Sequence, residues 1–293
     1  MLSVRQKEII VLLLEKSSGK VHRVLGEQSV GGGSINDAYK VHTDHGIFFV
    51  KTNDAKRFPG MFAAEAKGLG ILSACGEVQV PAVIGTMEKD EEAVFVSEFV
   101  ESGARDKNFF FEFGRALARM HAHTQHAFGL DHDNYIGSLQ QFNAPKDSWP
   151  GFFSQMRLEV QLKPARDEGR ISKEACAAFQ KLYSRLPEIF PVQKPSLLHG
   201  DLWSGNYMSV ARGSACIFDP AVYYGHREMD IAMTKLFGGF DPGFYEGYNA
   251  QWPLEKGWEQ RMDICNLYPL LVHVNLLGGG YAGDVERIVK RFK

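Results

Sequence analysis

Short stretches of apolar or alternating apolar and polar residues dominate residues 20–100 of the chain. Such stretches predict β-strands, because successive side chains of a strand point to opposite faces of a sheet. Strands are predicted over residues 21–25, 38–43, 47–52 and 93–100. Two segments with helical spacing, Val4–Lys16 and Met61–Ala74, accompany them. Pro81 and Gly85 predict an interruption of regular secondary structure before the strand over residues 93–100.

The pattern changes to long helical segments after the linker Glu101–Gly103. Helices are predicted over residues 109–123, 149–162, 172–186, 230–237 and 258–277. One hairpin interrupts them, with strands over Tyr207–Val210 and Ala215–Phe218. We therefore predict an α+β fold with a small β-rich N-terminal lobe over residues 1–101 and a larger, mostly helical C-terminal lobe over residues 102–293.

Composition narrows the range of partners. The 293 residues suffice for one large domain or two lobes with a substantial core. The formal net charge of -2 gives no general attraction to nucleic acid or to an anionic membrane. The apolar run Ile9–Leu14 is too short for a membrane span, and the four cysteines form no Cys-x-x-Cys pair. We expect a cytoplasmic protein whose partners are small molecules, with no nucleic acid and no membrane among them.

Three side chains in the stretch Ser196–Asp230, each with an oxygen that can accept a proton or bind a cation, indicate phosphoryl transfer. Asp201 and Asn206 lie five residues apart, which is the Asp-to-Asn interval of a kinase catalytic loop, and Asp219 follows thirteen residues later. The predicted hairpin returns Asp219 beside Asn206. Asp201 is then suited to accept the proton of a substrate hydroxyl, while Asn206 and Asp219 offer the oxygen ligands that Mg2+ prefers. A polar loop followed by an ordinary hairpin is the alternative.

A glycine-rich turn and a lysine at the end of a strand precede this stretch. The turn contains Gly31, Gly32, Gly33 and Ser34, and glycines let backbone N–H groups approach phosphates closely. It matches neither the Walker nor the dinucleotide-binding fingerprint, so a flexible turn is the alternative. Lys51 ends an apolar strand of the kind that carries the phosphate-contacting lysine of kinases, and Glu65 on the next helix is its candidate partner. A solvated strand end and a solvated helix face are the alternatives for these two residues.

The strand over residues 93–100 completes an order of elements found in kinases. It ends in Glu98, Phe99 and Val100. In a two-lobed kinase this strand leads into the hinge whose backbone meets adenine.

The chain resembles the fructosamine kinase (ketosamine kinase) family, within the wider aminoglycoside phosphotransferase and protein-kinase-like fold. The similar segments are Gly31–Asn36, Phe49–Lys51, Glu65, Leu198–Asn206, Phe218–Ala221, Tyr224–Asp230, Leu236–Phe240, Leu267–Tyr268, His273–Asn275 and Gly278–Tyr281. The resemblance implies a protein-kinase-like two-lobed fold. It also implies ATP-dependent phosphorylation of a ketosamine, at the 3-hydroxyl of its sugar, in a deglycation pathway.

The resemblance further implies roles for individual residues. Asp201 is expected to be the catalytic proton acceptor, and Asn206 and Asp219 are expected to bind Mg2+. Contacts with ATP are expected from Gly31, Gly32, Gly33, Ser34, Lys51, Glu65, Glu98, Phe99 and Val100. The expected acceptor is a small-molecule ketosamine, either free or protein-bound.

Two departures from the protein-kinase pattern bear on the acceptor. Gly200 stands where the His-Arg-Asp motif has arginine, and Pro220-Ala221 follow Asp219. Only ten positions separate Asp219 from Asp230, which is too few for an activation segment with a peptide platform, so a small acceptor is favoured. Asp230 is expected either to hold the backbone of the catalytic loop or to cap a helix.

Other interpretations stay open at this point. One is a kinase for another small hydroxylated amine, such as an aminoglycoside, choline or homoserine. Another is a non-catalytic nucleotide-binding pseudokinase, although no catalytic residue is missing. Candidate sugar contacts are Trp203, Tyr223 and His226. His121 is interpreted as a histidine packed beneath the catalytic loop.

Overall fold

The computed structural model describes residues 1–31 and 35–292 of the chain. These residues form two compact units, each built from two segments of the chain. The first unit comprises residues 1–109 and 205–220, and the second comprises residues 110–204 and 221–293. The fold is α+β, as predicted, and the lobe boundary expected after residue 101 stays a prediction.

The helices and strands follow one another in the order that the hydrophobic pattern broadly predicts. In chain order they are α1 (Val4–Ser18), β1 (Val24–Ser29), β2 (Asp37–Thr43), β3 (Gly46–Asp54), α2 (Met61–Cys75), β4 (Val83–Lys89), β5 (Glu92–Glu98), α3 (Phe109–His121), β6 (Asn134–Ile136), β7 (Leu139–Gln141), α4 (Trp149–Phe152), α5 (Glu159–Asp167), α6 (Lys173–Ile189), β8 (Ser196–Leu198), β9 (Tyr207–Ser209), β10 (Ala215–Ile217), β11 (Tyr223–Gly225), α7 (Glu228–Leu236), α8 (Pro242–Gln251), α9 (Trp258–Cys265), α10 (Leu267–Leu277) and α11 (Tyr281–Val289). A π-helical turn (Phe153–Leu158) lies between α4 and α5. Among the described residues, no helix is long and apolar enough to cross a membrane.

A five-stranded antiparallel sheet forms the centre of the first unit, in the order β1-β2-β3-β5-β4. Its buried valines cluster with apolar residues of α1, and the cluster includes Val41, Val50, Val94, Val96, Ile9, Ile10, Leu13 and Leu14. The helix begins with a capping box of Ser3 and Gln6 and ends at Gly19, whose φ of 69° is left-handed. α1 therefore confirms the helix predicted from Val4, and it covers the apolar residues of the sheet.

β4 lies where the sequence analysis predicts a break, so that prediction is wrong. The first five residues of β4 are all partly buried, which removes the alternation that identifies a strand in a sequence. At Gly85 the register against β5 shifts, as at a β-bulge. A Cβ at Gly85 would lie 3.1 Å from Cδ2 of Leu13. The glycine thus allows α1 to pack closely on the strand and does not end it.

The second unit is mostly helical and contains one large apolar core. Trp149 is buried in this core, and its ring stacks on Phe153 with 4.9 Å between ring centroids. This packing anchors the start of α4 in the core of the second unit. Two short antiparallel pairs, β6 with β7 and β8 with β11, also belong to this unit.

The single helix predicted over residues 258–277 is divided into α9 and α10. Asn266 lies between them, and its side-chain amide donates a 3.1 Å hydrogen bond to the carbonyl of Ala232. Pro269 has no N–H group, and proline is favoured in the first turn of a helix, where this group has no partner within the helix. α10 therefore begins just before Pro269.

Candidate active site

Lys51 lies within the sheet of the first unit, on strand β3. It is paired with Ala38 of β2 on one side and with Phe95 of β5 on the other. Its side chain is 7% exposed, and Nζ donates a 2.8 Å hydrogen bond to Oε1 of Glu65 on α2. Nζ also forms an ion pair with Asp219. A buried ammonium group needs such partners, because burying an unpaired charge strongly destabilises the fold.

Lys51, Glu65 and Asp219, hereafter the Lys51 cluster, hold one positive and two negative formal charges. Burial alone lowers the pKa of Lys51, but the two carboxylates outweigh burial and raise that pKa above its ordinary value. Burial raises the pKa of the Glu65 carboxyl, Lys51 opposes this effect, and the Asp219 carboxylate adds to it. One ammonium group does not neutralise two carboxylates. The Lys51 cluster therefore favours the approach of a further cation.

The hairpin of β9 and β10 brings Asn206 and Asp219 to the same end of two strands. Tyr207 pairs with Ile217, and the N–H of Phe218 donates a 3.1 Å hydrogen bond to the carbonyl of Asn206. Asp219 follows directly, and 45% of its side chain is exposed. This is the return of Asp219 beside Asn206 that the sequence predicts.

Asp219 also has an uncommon backbone conformation. Its φ is 55°, and among the described residues other than glycine only Asp90, with φ 57°, shares a positive value. Aspartate tolerates the left-handed region better than most residues, and strained backbone tends to occur at functional sites. Within residues 1–31 and 35–292, no cluster of three or more His, Cys, Asp or Glu side chains is arranged to hold a metal ion. Asn206 and Asp219 lie at the same end of the hairpin and remain the predicted oxygen donors for a cation.

Glu98 lies at the end of β5, opposite Phe48 of β3. Phe48 precedes Lys51 by three residues, which corresponds to about 10 Å along a strand. The N–H of Glu98 donates to the carbonyl of Ala82 at 2.9 Å, and the N–H of Ala82 donates to Oε1 of Glu98, also at 2.9 Å. This reciprocal pair holds the end of β5 at a defined position relative to β4.

Three of the remaining predicted nucleotide contacts, Phe99, Val100 and Gly31, are among the described residues. Phe99 follows β5, and its ring lies 4.2 Å from Nζ of Lys40. Val100 is partly buried and Gly31 is exposed. Gly32, Gly33 and Ser34 lie outside the described residues. The structure thus brings Lys51, Glu65 and Asp219 into direct contact and leaves the glycine-rich turn as a prediction.

In the second unit, Asp230 holds the backbone that precedes Asp201. Its Oδ2 accepts the N–H of His199 at 2.7 Å, and its Oδ1 accepts the N–H of Gly200 at 2.9 Å. The N–H of Asp201 in turn donates to Nδ1 of His199 at 3.3 Å. The interpretation of Asp230 as a support of the catalytic loop is confirmed. The helix-cap alternative is wrong, because α7 already begins at Glu228.

The backbone conformation and the close packing at Gly200 explain why glycine stands where the protein-kinase motif has arginine. Its φ is +83°, and a Cβ there would collide with the carbonyl of Ala221. The N–H of Ala221 donates to the carbonyl of His199 at 2.9 Å, so the two segments are bonded to each other at this point. Only glycine combines the left-handed backbone with this close approach.

A buried polar network that the sequence analysis does not predict holds the segment at Ala221 and Val222. The side-chain amide of Asn134 donates to the carbonyl of Val222 at 2.8 Å, and that of Gln141 donates to the carbonyl of Ala221 at 3.0 Å. The hydroxyl of Tyr268 donates to Oε1 of Gln141 at 2.8 Å. The partners are at least 80 residues apart in the chain, so no local sequence pattern reveals them.

Two of the three aromatic residues suggested as sugar contacts are core residues. Tyr223 is 1% exposed and stacks on Phe152 at 5.7 Å. His226 is fully buried and packs edge-on against Phe190 at 5.0 Å. Both suggestions are wrong, because a sequence motif does not tell which of its side chains point inward. Trp203 is exposed and stays a candidate.

The profile of the family described as fructosamine kinase matches residues 6–293. The chain belongs to the fructosamine kinase family. An Enterococcus faecium relative named "Probable ketoamine kinase" is 38% identical over 279 residues, which are 94% of this chain and 96% of the relative. The chloroplastic protein-ribulosamine 3-kinase of Arabidopsis thaliana is 38% identical over 281 residues, 93% of this chain and 84% of the plant protein. As a member of the fructosamine kinase family, the chain is a phosphotransferase.

Solved structures place this family member in the kinase-like fold. The crystal structure of a Haemophilus somnus protein named "Putative fructosamine-3-kinase" superimposes on this chain with a TM-score of 0.89 at 28% identity. The superposition covers 98% of both chains. An aminoglycoside phosphotransferase superimposes with a TM-score of 0.60 at 14% identity and covers 96% of this chain and 98% of its own. At this low identity the second likeness shows the fold alone. Membership of the family and the predicted kinase-like fold are confirmed.

Proposed function

We propose that this fructosamine kinase family member transfers the γ-phosphoryl group of ATP to the 3-hydroxyl of the sugar of a ketosamine. The observation that carries the proposal is the Lys51 cluster, a buried ion-paired lysine next to a half-exposed aspartate, in a chain whose relatives are named for ketoamine and ribulosamine phosphorylation. Such a cluster matches the parts that position phosphates in kinases.

Lys51 is the residue that meets the phosphates of ATP in this proposal. Its raised pKa keeps the ammonium charged, and its hydrogen bond to Glu65 fixes where the charge lies. The backbone of Glu98, Phe99 and Val100 lines the adenine site, held by the reciprocal bonds between Glu98 and Ala82. Gly31, together with Gly32, Gly33 and Ser34, covers the phosphates through backbone N–H groups.

Asn206 and Asp219 are the residues that would hold Mg2+. The donor set fits this ion, because amide and carboxylate oxygens are the ligands of a hard cation and the Lys51 cluster has excess negative charge. The bound ion neutralises charge on the phosphates. The side chain of Asp219 is 45% exposed while it is paired with Lys51, so it remains accessible to a cation.

Asp201 is the proposed proton acceptor. The hydroxyl oxygen of the sugar forms a bond to the γ-phosphorus, the bond from this phosphorus to the bridging oxygen of ADP breaks, and the hydroxyl proton passes to the Asp201 carboxylate. Because the transition state of phosphoryl transfer is loose, most of the rate effect comes from positioning and from charge neutralisation. The hydrogen bonds of Asp230 to His199 and Gly200 supply the positioning on the side of Asp201.

The acceptor class follows from the short connection between Asp219 and α7. Residues 220–227 lie between them, and Ala221 and Val222 are tied down by buried side chains. This connection contains no peptide platform, so we propose a small ketosamine, or a ketosamine exposed on the surface of a protein, as the acceptor. We propose a cytoplasmic location for the reaction.

A screen of acceptors with ATP tests the proposal. ADP release is followed with fructosyl-lysine and ribulosyl-lysine, and in parallel with an aminoglycoside, choline and homoserine. We expect release with the two ketosamines alone, and none of it in the Asp201→Ala variant. Turnover of choline, homoserine or the aminoglycoside in place of the ketosamines would overturn the acceptor assignment. No transfer to any acceptor would indicate the pseudokinase.

A further inference from the structure

Arg157 is a fully buried arginine in the π-helical turn Phe153–Leu158 of the second unit. Nη1 donates to the carbonyls of Phe142 at 2.6 Å and of Met156 at 3.0 Å. Nη2 donates to Oδ1 of Asn143 at 2.7 Å. These partners are all neutral oxygens, and Nε is buried without a hydrogen-bond partner among the described residues. A π-helical turn is wider than an α-helical one, and such turns are frequent at functional sites.

No ion pair offsets the burial of Arg157. Within residues 1–31 and 35–292 its guanidinium is bonded to no carboxylate. It lies instead against the rings of Tyr223 and Phe152, with 4.0 and 4.6 Å to the ring centroids. A buried charge without a counter-charge destabilises a fold, and an apolar side chain of similar volume is often the more stable choice. Stability alone therefore does not explain an arginine at this position.

Two side-chain amides connect Arg157 to the backbone of Val222. Nδ2 of Asn143 donates to Oδ1 of Asn134 at 3.1 Å, and Nδ2 of Asn134 donates to the carbonyl of Val222 at 2.8 Å. A guanidinium only donates hydrogen bonds, so it fixes the Asn143 amide with its oxygen toward Arg157 and its NH2 group toward Asn134. The Asn134 amide then accepts with its oxygen and turns its own NH2 group to Val222.

The segment held in this way is bonded to the catalytic loop. Its N–H group at Ala221 donates to the carbonyl of His199 at 2.9 Å, two residues before Asp201. A second contact involves Tyr268, whose ring centroid lies 5.4 Å from the Arg157 guanidinium. Burial raises the pKa of Tyr268, Arg157 opposes this effect and Asp201 adds to it, so Tyr268 lies within electrostatic reach of both charges.

We propose that Arg157 is a positioning residue for Asp201, acting through the two amides and the segment at Ala221. Its planar fork of N–H groups holds several acceptors at fixed places, which an apolar side chain of similar volume does not do. The inference rests on the proposed function in which Asp201 accepts the substrate proton. Misplacement of a reacting group by about 1 Å lowers a rate by on the order of a hundredfold, so a change in this buried chain of bonds has a measurable effect.

Two substitutions break the chain of bonds at different links. Arg157→Met removes the guanidinium and keeps an unbranched apolar side chain against the rings. Asn143→Asp keeps Arg157 and an oxygen that accepts its hydrogen bond, but it replaces the NH2 group that reaches Asn134 by a second acceptor. Only the first substitution removes Arg157, and both release the segment at Ala221.

Arg170→Met is the matched control in the same unit. The Arg170 guanidinium also donates to two backbone carbonyls, those of Val274 and Asn275, which lie near the end of α10. The substitution therefore removes an arginine with carbonyl partners outside the chain of amides. It is expected to leave kcat within a few-fold of wild type.

We expect kcat for a ketosamine to fall by about ten- to a hundredfold in Arg157→Met and in Asn143→Asp, with the KM for ATP within a few-fold of wild type. Hydrogen–deuterium exchange of the Ala221 amide is the readout that does not depend on activity. This exchange is expected to become faster in both variants and to stay unchanged in Arg170→Met. Wild-type kcat in either variant, or a fall in kcat without faster exchange at Ala221, would overturn the inference.

Two further results keep the test decisive. If Arg157→Met does not fold, Arg157→Lys takes its place, because a single ammonium nitrogen cannot occupy the positions of both Nη1 and Nη2. Faster exchange at Ala221 in Arg157→Lys supports the inference, and unchanged exchange overturns it. If the wild-type protein phosphorylates no ketosamine, the proposed function fails, while the exchange comparison still decides whether Arg157 holds the segment at Ala221.

Discussion

The Lys51 cluster and the surroundings of Asp230 are two buried groups of charged side chains, one in each unit, and they are built in opposite ways. In the Lys51 cluster a single ammonium faces two carboxylates, and one of these carboxylates is 45% exposed. Asp230 is 1% exposed and accepts three hydrogen bonds from fixed donors. The Lys51 cluster has net negative charge and is partly exposed to solvent. The Asp230 carboxylate is buried and accepts hydrogen bonds from three donors.

This difference shows which group responds to a ligand and which one stays in place. Excess negative charge with an exposed carboxylate favours binding of a cation, and the contacts of Asp219 and Lys51 can rearrange when one binds. A buried carboxylate with its donors in place gains nothing from rearrangement, because any lost hydrogen bond leaves a buried charge unpaired. The Lys51 cluster thus has the properties of a binding site, and Asp230 has those of a support.

The substitution Asp201→Ala has the largest expected effect. Removal of a general base lowers a rate by on the order of 10²–10⁴-fold, so we expect kcat to fall by about a thousandfold. Neither group in the comparison is altered, so the affinity for Mg-ATP stays within a few-fold of wild type. Initial-rate kinetics with a ketosamine and calorimetric titration with Mg-ATP measure the two quantities. Wild-type turnover would show that Asp201 is not the proton acceptor.

Asp230→Asn tests whether the buried Asp230 carboxylate is a support. An asparagine side chain accepts with one oxygen only, and its NH2 group opposes one of the backbone N–H groups, so unfolding free energy falls by about 3 kcal/mol. Burial alone raises the pKa of Asp230, but the hydrogen bond from His121, the electrostatic interactions with His121 and His199 and the hydrogen bond from Gly200 hold that pKa below the ordinary 3.8.

A lowered pKa stabilises the fold above pH 3.8, and the stabilisation is lost as pH falls through the pKa of the folded state. The deficit of Asp230→Asn is therefore complete at neutral pH and shrinks in acid. Urea unfolding across this range measures it, with Asp284→Asn as the exposed control. A deficit that is independent of pH would contradict the assignment.

Asp219→Asn tests whether the Lys51 cluster binds a cation. Asparagine tolerates the left-handed backbone of Asp219, so the fold is retained while a charged ligand of the cation is lost. We expect the affinity for ATP in the presence of Mg2+ to fall by about ten- to a hundredfold, and the affinity for ATP without Mg2+ to change little. Titration with ATP at increasing Mg2+ measures both. Undiminished dependence on Mg2+ would exclude Asp219 as a ligand.

Lys51→Met has the smallest expected effect on stability, because Asp219 is partly solvated. We expect the unfolding free energy to fall by about 1–2 kcal/mol at neutral pH. Burial already raises the pKa of Glu65 above its ordinary 4.5, and loss of Lys51 raises it further. A raised pKa gives stability that is present below 4.5 and is lost as pH rises through the folded-state value, so the deficit grows with pH above 4.5.

The exposed pair Lys56 and Glu91 offers the matched control for this prediction. Both side chains are about 70% exposed, so Lys56→Met is expected to change stability by less than about 0.5 kcal/mol. Urea unfolding of both variants at several pH values makes the comparison. An equal effect of the two substitutions would show that the Lys51 cluster is not a buried ion pair.

Sequence reasoning predicts the Lys51 cluster well, because each of its members follows from a local pattern. An apolar strand that carries a lysine, a helix with glutamate in its first turns and a short hairpin before Asp219 are all visible within a few residues, although β3 continues past Lys51 to Asp54. The support of the catalytic loop by Asp230 follows from the kinase-like order of elements. For both Lys51 and Asp230, the kinase-like fold specifies which residues they contact.

The features that the sequence does not reveal depend on contacts between distant residues. β4 is hidden because its first five residues are all partly buried. The division between α9 and α10 involves Pro269 and a bond from Asn266 to Ala232, and only the proline is visible as a local signal in the sequence. The orientation of Tyr223 and His226 is decided by the core of the second unit. A single sequence contains no signal for the bonds of Asn134 to Val222 and of Gln141 to Ala221, whose partners lie 88 and 80 residues apart.

The position of the phosphate on the product tests the central claim most directly. Fructosyl-lysine is incubated with the protein and Mg-ATP, and the product is examined by two-dimensional phosphorus–proton NMR. We predict one new phosphomonoester signal, coupled to the proton on C3 of the sugar. A phosphate on another carbon of the sugar, or no phosphate on the ketosamine at all, would contradict the account.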